Sequence, residues 1–288
     1  MKFQNKNRFL LVLSLFAAAI AFLYAIKVLG PWDKHWGEVH EGIKSQMGDL
    51  YSPWAGTREL LLRHRNPYGP EVSREIQSVF YGHAISQTYG DPSAVVTNEQ
   101  RFAYPVYVVF LLAPTVYADF AHVVRPWAEF AFAILTVISV LLCFAILHWR
   151  GSWEAVMAVA LFTLSSPQIV QGLRFEQLAL VVGFLLIAGT WCVSKNRLAC
   201  AGVLLAVATI KPQMVLLPLC WFAVWAVGDW PKRWQLPAFF IGTIAALVAA
   251  GELLLPGWPG YFLAGLAAYR RYALPTSPLQ IALGNLFG

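Results

Sequence analysis

The stretch FLLVLSLFAAAIAFLYAIKVL, residues 9–29, decides the fold. An α-helix needs about 20 apolar residues to cross the hydrocarbon core of a bilayer. This stretch is that long, and its one charge, Lys27, sits near its end. Lys2, Lys6 and Arg8 precede it. Its apolar run exceeds the roughly 7–15 residues of a signal-peptide core, so it reads as an uncleaved signal anchor with a cytoplasmic N-terminus. A long polar stretch, residues 30–125, follows, and further apolar runs come after it. The order describes a multi-span protein with one large soluble face beside the lipid.

Composition agrees. The 288 residues are 58% hydrophobic and 12% charged, whereas soluble domains carry about 25% charged residues. Aromatic residues make up 15%, with 12 Trp, which suits two membrane–water interfaces. The net charge of +6 comes from short basic clusters between apolar runs. Membrane topology explains these better than nucleic acid does, and no nucleic-acid partner is expected. Cys143, Cys192, Cys200 and Cys220 all lie in apolar runs, so neither a disulfide framework nor a metal site is expected.

The expected fold class is all-α integral membrane, a multi-span helical bundle whose large first extracytoplasmic loop contains interfacial helices. It is one polytopic domain over 1–288. After the first span at 9–29 comes the loop 30–125, then about six further spans within 127–255. Residues 256–288 read as an outer loop and the start of another helix. The clear spans are Phe9–Leu29, Trp127–Leu147, Trp153–Leu173, Gln177–Val193, Leu198–Ile210, Pro212–Val227 and Pro237–Leu255. The final run, Leu279–Phe287, is too short to cross, so a chain truncated at its C-terminus is expected. Residues 104–117 are apolar but short and contain Pro105 and Pro114. If they do not cross, His148/Arg150, Lys195/Arg197 and Lys232/Arg233 all fall on the cytoplasmic side, as the positive-inside rule asks. They are therefore expected to form a re-entrant or surface-lying segment.

Within the loop, residues 30–101 balance nine acidic against seven basic residues. Ser52 and Pro53 suit an N-cap and first helical position, and Asn66-Pro67-Tyr68-Gly69-Pro70 ends the helix. An interfacial helix is expected over 54–65. Asp49 stands just before it. There it is a capping or solvated carboxylate, or a general base for a sugar hydroxyl. Arg58, on the stripe of Tyr51, Trp54 and Leu62, either snorkels or holds a lipid phosphate.

Four segments carry a resemblance. Asp49-Leu50-Tyr51, Ala55-Gly56, Leu60-Leu61 and Asn66-Pro67-Tyr68 resemble the first-loop motif of the family-87 membrane glycosyltransferases. Ala103-Tyr104-Pro105 with Leu111-Leu112-Ala113-Pro114 resembles their Tyr-Pro-Pro and Leu-Ala-Pro segment. Leu173-Arg174-Phe175-Glu176-Gln177 resembles their Leu-Arg-x-Gly-Gln turn, and Ile210-Lys211-Pro212 their Ile-Lys-Pro motif. Val106 replaces a second Pro, Glu176 replaces a Gly, and the distance from Pro67 to Tyr104 is longer than usual.

The resemblance implies a GT-C-like bundle, similar to polyprenol-phosphate-mannose-dependent mannosyltransferases. It implies an inverting transfer of a hexose, mannose among them, from a polyprenyl-phosphate carrier to a lipid or glycan acceptor on the outer face of the cell membrane. It also implies that Asp49 is the catalytic base. The departing phosphate is an anion, so cations are wanted beside it. Lys211, Arg174, Arg270, Arg271 and Arg58 are the candidates. Trp54, Tyr68, Tyr104, Glu176 and Gln177 are the candidate substrate contacts. A lipid-phosphate donor does not demand a metal, and no metal or other cofactor is expected. The expected partners are membrane lipids, the polyprenyl-phosphate-linked sugar and a glycolipid or glycan acceptor. Two alternatives stand beside this reading: a multi-span transporter or lipid flippase, with Lys211, Glu252 and Arg174 lining a polar path, and an inactive fragment of the same family.

Overall fold

The computed structural model describes residues 2–31, 35, 47–82, 84 and 100–269. Every regular element among them is helical, and the protein is an all-α membrane protein. Helix α1, Lys2–Tyr24, continues through a π-helical turn to Leu29. Two loop helices follow, α2 at Tyr51–Arg63 and α3 at Pro70–Tyr81. A short helix α4, Val108–Leu112, runs into a 3-10 turn at Ala113–Thr115.

The remaining helices are longer or paired. They are α5 (Arg125–Ile146), α6 (Trp153–Leu164), α7 (Pro167–Arg174), α8 (Ala179–Ser194) and α9 (Leu198–Ala208). Then come α10 (Pro212–Val227), the single turn α11 (Trp230–Arg233), α12 (Gln235–Leu254) and α13 (Trp258–Tyr269).

Among the described residues, three helical stretches are long and apolar enough to cross a membrane: Arg8–Leu29, Phe120–Ile146 and Gln235–Leu254. The α5 stretch thus starts before Trp127, through a π-helical turn at Phe120–Val124. The expected span over 153–173 is broken. Helices α6 and α7 bend by 61° at Ser165-Ser166, because Pro167 cannot continue the hydrogen-bond ladder and starts a new helix instead. Helices α8, α9 and α10 are apolar but shorter.

Outward-facing apolar side chains mark the lipid side. Phe9, Val12, Phe16 and Phe22 are 64–67% exposed along α1, and Leu217 and Leu253 reach 80% and 87%. Water would penalise such a surface and hydrocarbon does not. Helix α1 packs on α6, α5 on α8, α8 on α9 and α9 on α12. The last pair approaches closely because Gly202 leaves no side chain between the backbones. A Cβ there would meet the Leu236 carbonyl oxygen at 2.5 Å, the small-residue contact on which membrane helix pairs depend.

Helix direction sorts the loops to two ends. His148/Arg150, Lys195/Arg197 and Lys232/Arg233 follow the C-terminal ends of α5, α8 and α10, at one end. At the other end, Gly30 at the close of α1 lies beside the Arg174 guanidinium. Arg125, at the start of α5, donates to the Arg174 carbonyl at 3.4 Å. The polar stretch 30–125 therefore leaves and rejoins the bundle at the same end.

The loop helices differ from expectation in detail. Helix α2 starts two residues early, with Leu50 rather than Ser52 at the N-cap. Ser52 is inside the first turn, and its hydroxyl donates to Gln100 Oε1 at 3.3 Å rather than capping. Pro53 is tolerated because the first-turn N–H groups have no intrahelical partner anyway. The helix ends at Arg63, with His64 at φ 52°.

Helix α3 was not foreseen. Gly69 and Pro70 start it, and Gly82 stops it at φ 74°. Val72, Ile76 and Phe80, one turn apart, are buried, each stabilising by about 1.5–3 kcal/mol. Arg65 clamps the α2–α3 corner by pairing with Glu59 at 2.9 Å and Glu75 at 2.8 Å. Helix α13 lies where an outer loop was expected. Its Pro259 sits in the first turn, where Pro is harmless. The last run, 270–288, with Arg270, Arg271 and Leu279–Phe287, lies outside the described residues.

Candidate active site

The 104–117 segment is the hub of the end that holds the long loop. The Tyr107 hydroxyl shares a 2.9 Å hydrogen bond with Thr209 Oγ1, just before the α9–α10 turn. The Tyr107 ring meets Trp258 edge-on at 5.7 Å. Tyr68 donates to the Tyr104 carbonyl at 2.6 Å, and its ring packs edge-on to Phe102 at 5.0 Å. These contacts draw the α9–α10 turn, the start of α13 and the α2–α3 corner around one hub.

Asp49 is seated at this end by the α7–α8 turn. Its backbone N–H donates to the Phe175 carbonyl at 2.7 Å. Gln177 Nε2 donates to Asp49 Oδ2 at 3.0 Å. Gln177 is therefore an anchor of Asp49. The carboxylate is not the N-cap of α2, which Leu50 occupies. Burial raises the Asp49 pKa, while the Gln177 hydrogen bond and the Lys211 charge hold it down. Lys211, at the N-cap of α10, shows the mirror image. Burial lowers its pKa, and the Asp49 charge pulls it back. An aspartate whose carboxylate is oriented by a donor and felt by a cation is a suitable acceptor for a hydroxyl proton.

The residue between the two Asp49 anchors is Glu176. Its backbone has φ 44°, the left-handed region that glycine favours, at a cost of about 1–3 kcal/mol for another residue. The resembled turn carries Gly here, and the backbone explains that choice. The Glu176 side chain is fully buried. Arg125 Nε lies 2.8 Å from Glu176 Oε1 and 3.2 Å from Glu129 Oε1. Glu176 Oε2 has no hydrogen-bond partner among the described residues. Burial first, then Glu129 and Asp49, push the Glu176 pKa up to about 7 against the pull of Arg125. Gly48 lies flat against this carboxyl. A Cβ on Gly48 would strike it, and would sit 2.7 Å from the Phe175 carbonyl oxygen.

The other candidates scatter. Tyr104 is electrostatically coupled to Asp49 and half-buried, and its pKa is raised mainly by burial. Trp54 is not an open stacking platform. It is 4% exposed, its ring packs on Phe120 at 5.0 Å, and its indole N–H donates to the Thr115 carbonyl at 3.2 Å. Arg58 is exposed, with its guanidinium 5.4 Å from the Trp54 ring. The Arg174 side chain turns toward Gly30 and the Phe175 ring. Glu252 accepts from the Gly257 N–H at 2.6 Å, which closes the α12–α13 turn. Among the described residues, no group of three His, Cys, Asp or Glu side chains could hold a metal.

Sequence reasoning missed Arg125 and Gly48. Arg125 reads as the basic flank of a span, and its partner lies 51 positions later. Gly48, directly before Asp49, was the available signal.

An apolar cavity of about 490 Å³ opens next to the site. Its lining includes Leu50, Leu112, Val124, Phe132, Leu178 and Val181, with Thr115 as the one polar member. Leu50 adjoins Asp49, and Leu178 adjoins Gln177.

The sequence model described as Glycosyltransferase family 87 matches residues 102–284. The match takes in Tyr104, the 173–177 turn and Lys211 and starts after Asp49. No curated protein and no solved structure matches the chain.

Proposed function

Since this chain belongs to glycosyltransferase family 87, it is a membrane glycosyltransferase, and we propose that it takes a hexose such as mannose from a polyprenyl-phosphate carrier, with Asp49 as the general base. The acceptor is a glycolipid or glycan hydroxyl on the extracytoplasmic face of the cell membrane. The observation that carries this reading is the seating of Asp49. Its backbone is fixed by Phe175 and its carboxylate by Gln177, with Lys211 close enough to act on its charge. The neighbouring Leu50 lines the apolar cavity. A proton acceptor with a cation acting on its charge thus stands beside an apolar cavity, which suits a saccharide carried on a greasy phosphate.

The step runs as an in-line displacement. Asp49 Oδ1 takes the acceptor O–H proton as the oxygen forms its bond to the anomeric carbon. The bond from that carbon to the carrier phosphate oxygen breaks on the opposite face, so the configuration inverts. The electron pair leaves with the phosphate, and the positive charge of Lys211 stabilises it. Asp49 then passes its proton to solvent. Family membership removes the ground for the transporter alternative.

The test is incubation of the purified protein with polyprenyl-phosphate hexoses and membrane lipid extract, with mass analysis of products. Hexosylated lipid is expected from the wild type and none from Asp49→Asn. Product from a nucleotide sugar alone, or full activity of Asp49→Asn, would overturn the reading.

A further inference from the structure

We propose that Glu176 is a positioning residue for Asp49: its carboxylate, anchored by Arg125, braces the Gly48-Asp49 segment and makes transfer depend on its own ionisation. The proposal rests on the reading of Asp49 as base.

The geometry is a grip of three consecutive residues on two. Phe175 accepts from the Asp49 N–H, Gln177 donates to the Asp49 carboxylate, and Glu176 between them presses its carboxyl against Gly48. Glycine would make this turn without strain, since φ is 44°. A glutamate there also gives up water around its charge, because the side chain is fully buried. Nothing in the turn itself requires a carboxyl. What it adds is a second negative charge beside the base, tied through Arg125 to the start of α5.

Four charged groups act on Glu176 or on its pair with Asp49. Arg125 attracts it at 2.8 Å, Glu129 competes for the same guanidinium, Asp49 repels it, and Lys211 acts on Asp49 from the α9–α10 turn. An ionised Glu176 makes the Asp49 carboxylate a readier proton acceptor, because taking up a proton relieves the repulsion. A protonated Glu176 withdraws that push and loosens Arg125. Burial is the main cause that raises its pKa to about 7, so the change falls near neutral pH. Asp49 alone would give an acid limb at lower pH.

The experiment compares wild type with Glu176→Gln, Glu176→Gly and Asp49→Asn, each purified whole in detergent. The readouts are kcat and donor KM across pH 5–9 and the melting temperature. In Glu176→Gln and Glu176→Gly, kcat at pH 8 is expected to fall about tenfold, the scale of one pKa unit of coupling, with donor KM within about twofold. The acid limb should move down by about one pH unit or more in both. Glu176→Gly relieves the strained φ and so should melt no lower than Glu176→Gln. A merely structural glutamate would change the melting temperature and leave the limb in place. Wild-type kcat and pH profile in both Glu176 variants, with Asp49→Asn inactive, would overturn the proposal and leave the base reading intact. An active Asp49→Asn would overturn both.

Discussion

Gln177 Nε2 donates a 3.0 Å hydrogen bond to Asp49 Oδ2 across a separation of 128 residues. The bond joins the first loop to the turn between two membrane helices, so it fixes the orientation of the carboxylate relative to the bundle. Gln177→Leu keeps the volume and removes the donor. Its kcat is expected to fall about 10- to 100-fold, as for loss of an orienting bond to a catalytic group, while stability changes by about 1 kcal/mol. Steady-state kinetics with thermal melts would separate the two, and an unchanged kcat would make the bond structural only.

Lys211 is the described cation that acts on the Asp49 charge. Burial lowers its pKa and Asp49 opposes that, so the charge is held at the site by its partner. Lys211→Met should weaken binding of the polyprenyl-phosphate donor about tenfold or more, the scale of one charge-assisted contact. Lys211→Arg should recover part of this. Equilibrium binding of the carrier lipid without acceptor is the measurement, and an unaltered affinity for Lys211→Met would return the residue to anchoring at the interface.

Gly48 is pinned between the Phe175 carbonyl and the Glu176 carboxyl. Gly48→Ala must therefore push the Asp49 segment off the turn. The expected result is a loss of about 100-fold in kcat, since ångström-scale misplacement costs that much, together with a lower melting temperature. The double variant Gly48→Ala/Glu176→Gly removes the carboxyl clash and leaves the one with Phe175 O. It should recover some stability and little activity. Full recovery in the double variant would show that the carboxyl contact alone fixes the backbone here.

Apolar length and charge sign were legible in sequence, and contact-dependent backbone choices were not. Residues 9–29 announce a spanning helix because nothing but lipid suits them. The Ser165-Ser166-Pro167 break was hidden, since the run around it is apolar on both sides and hydropathy is blind to a missing N–H. Pro256, Gly257, Pro259 and Gly260 read as loop, although a Pro in the first turn is compatible with α13. At the site, Asp49 and Gln177 were both visible as candidates, and their mutual hydrogen bond was not. Glu176 stood out as a departure from Gly. Its meaning needed the positive φ and the approach of Arg125 from the start of α5.

Glu176 also predicts how stability follows pH. Its folded pKa is raised from 4.5 to about 7, chiefly by burial. The folded protein therefore holds this proton more tightly than the unfolded chain does. The resulting stabilisation is fully present below about pH 4.5 and is lost as pH rises through about 7, to an extent on the order of 3 kcal/mol. The raised pKa of Asp49 acts with the same sign. Wild-type protein in detergent should melt at a lower temperature at pH 8 than at pH 5.5 once other groups are accounted for by comparison with Glu176→Gln. That variant has no proton to lose at this position, so its melting temperature should fall less over the same interval. Parallel pH dependence in the two proteins would mean that Glu176 stays ionised throughout, held by Arg125 against the cost of burial.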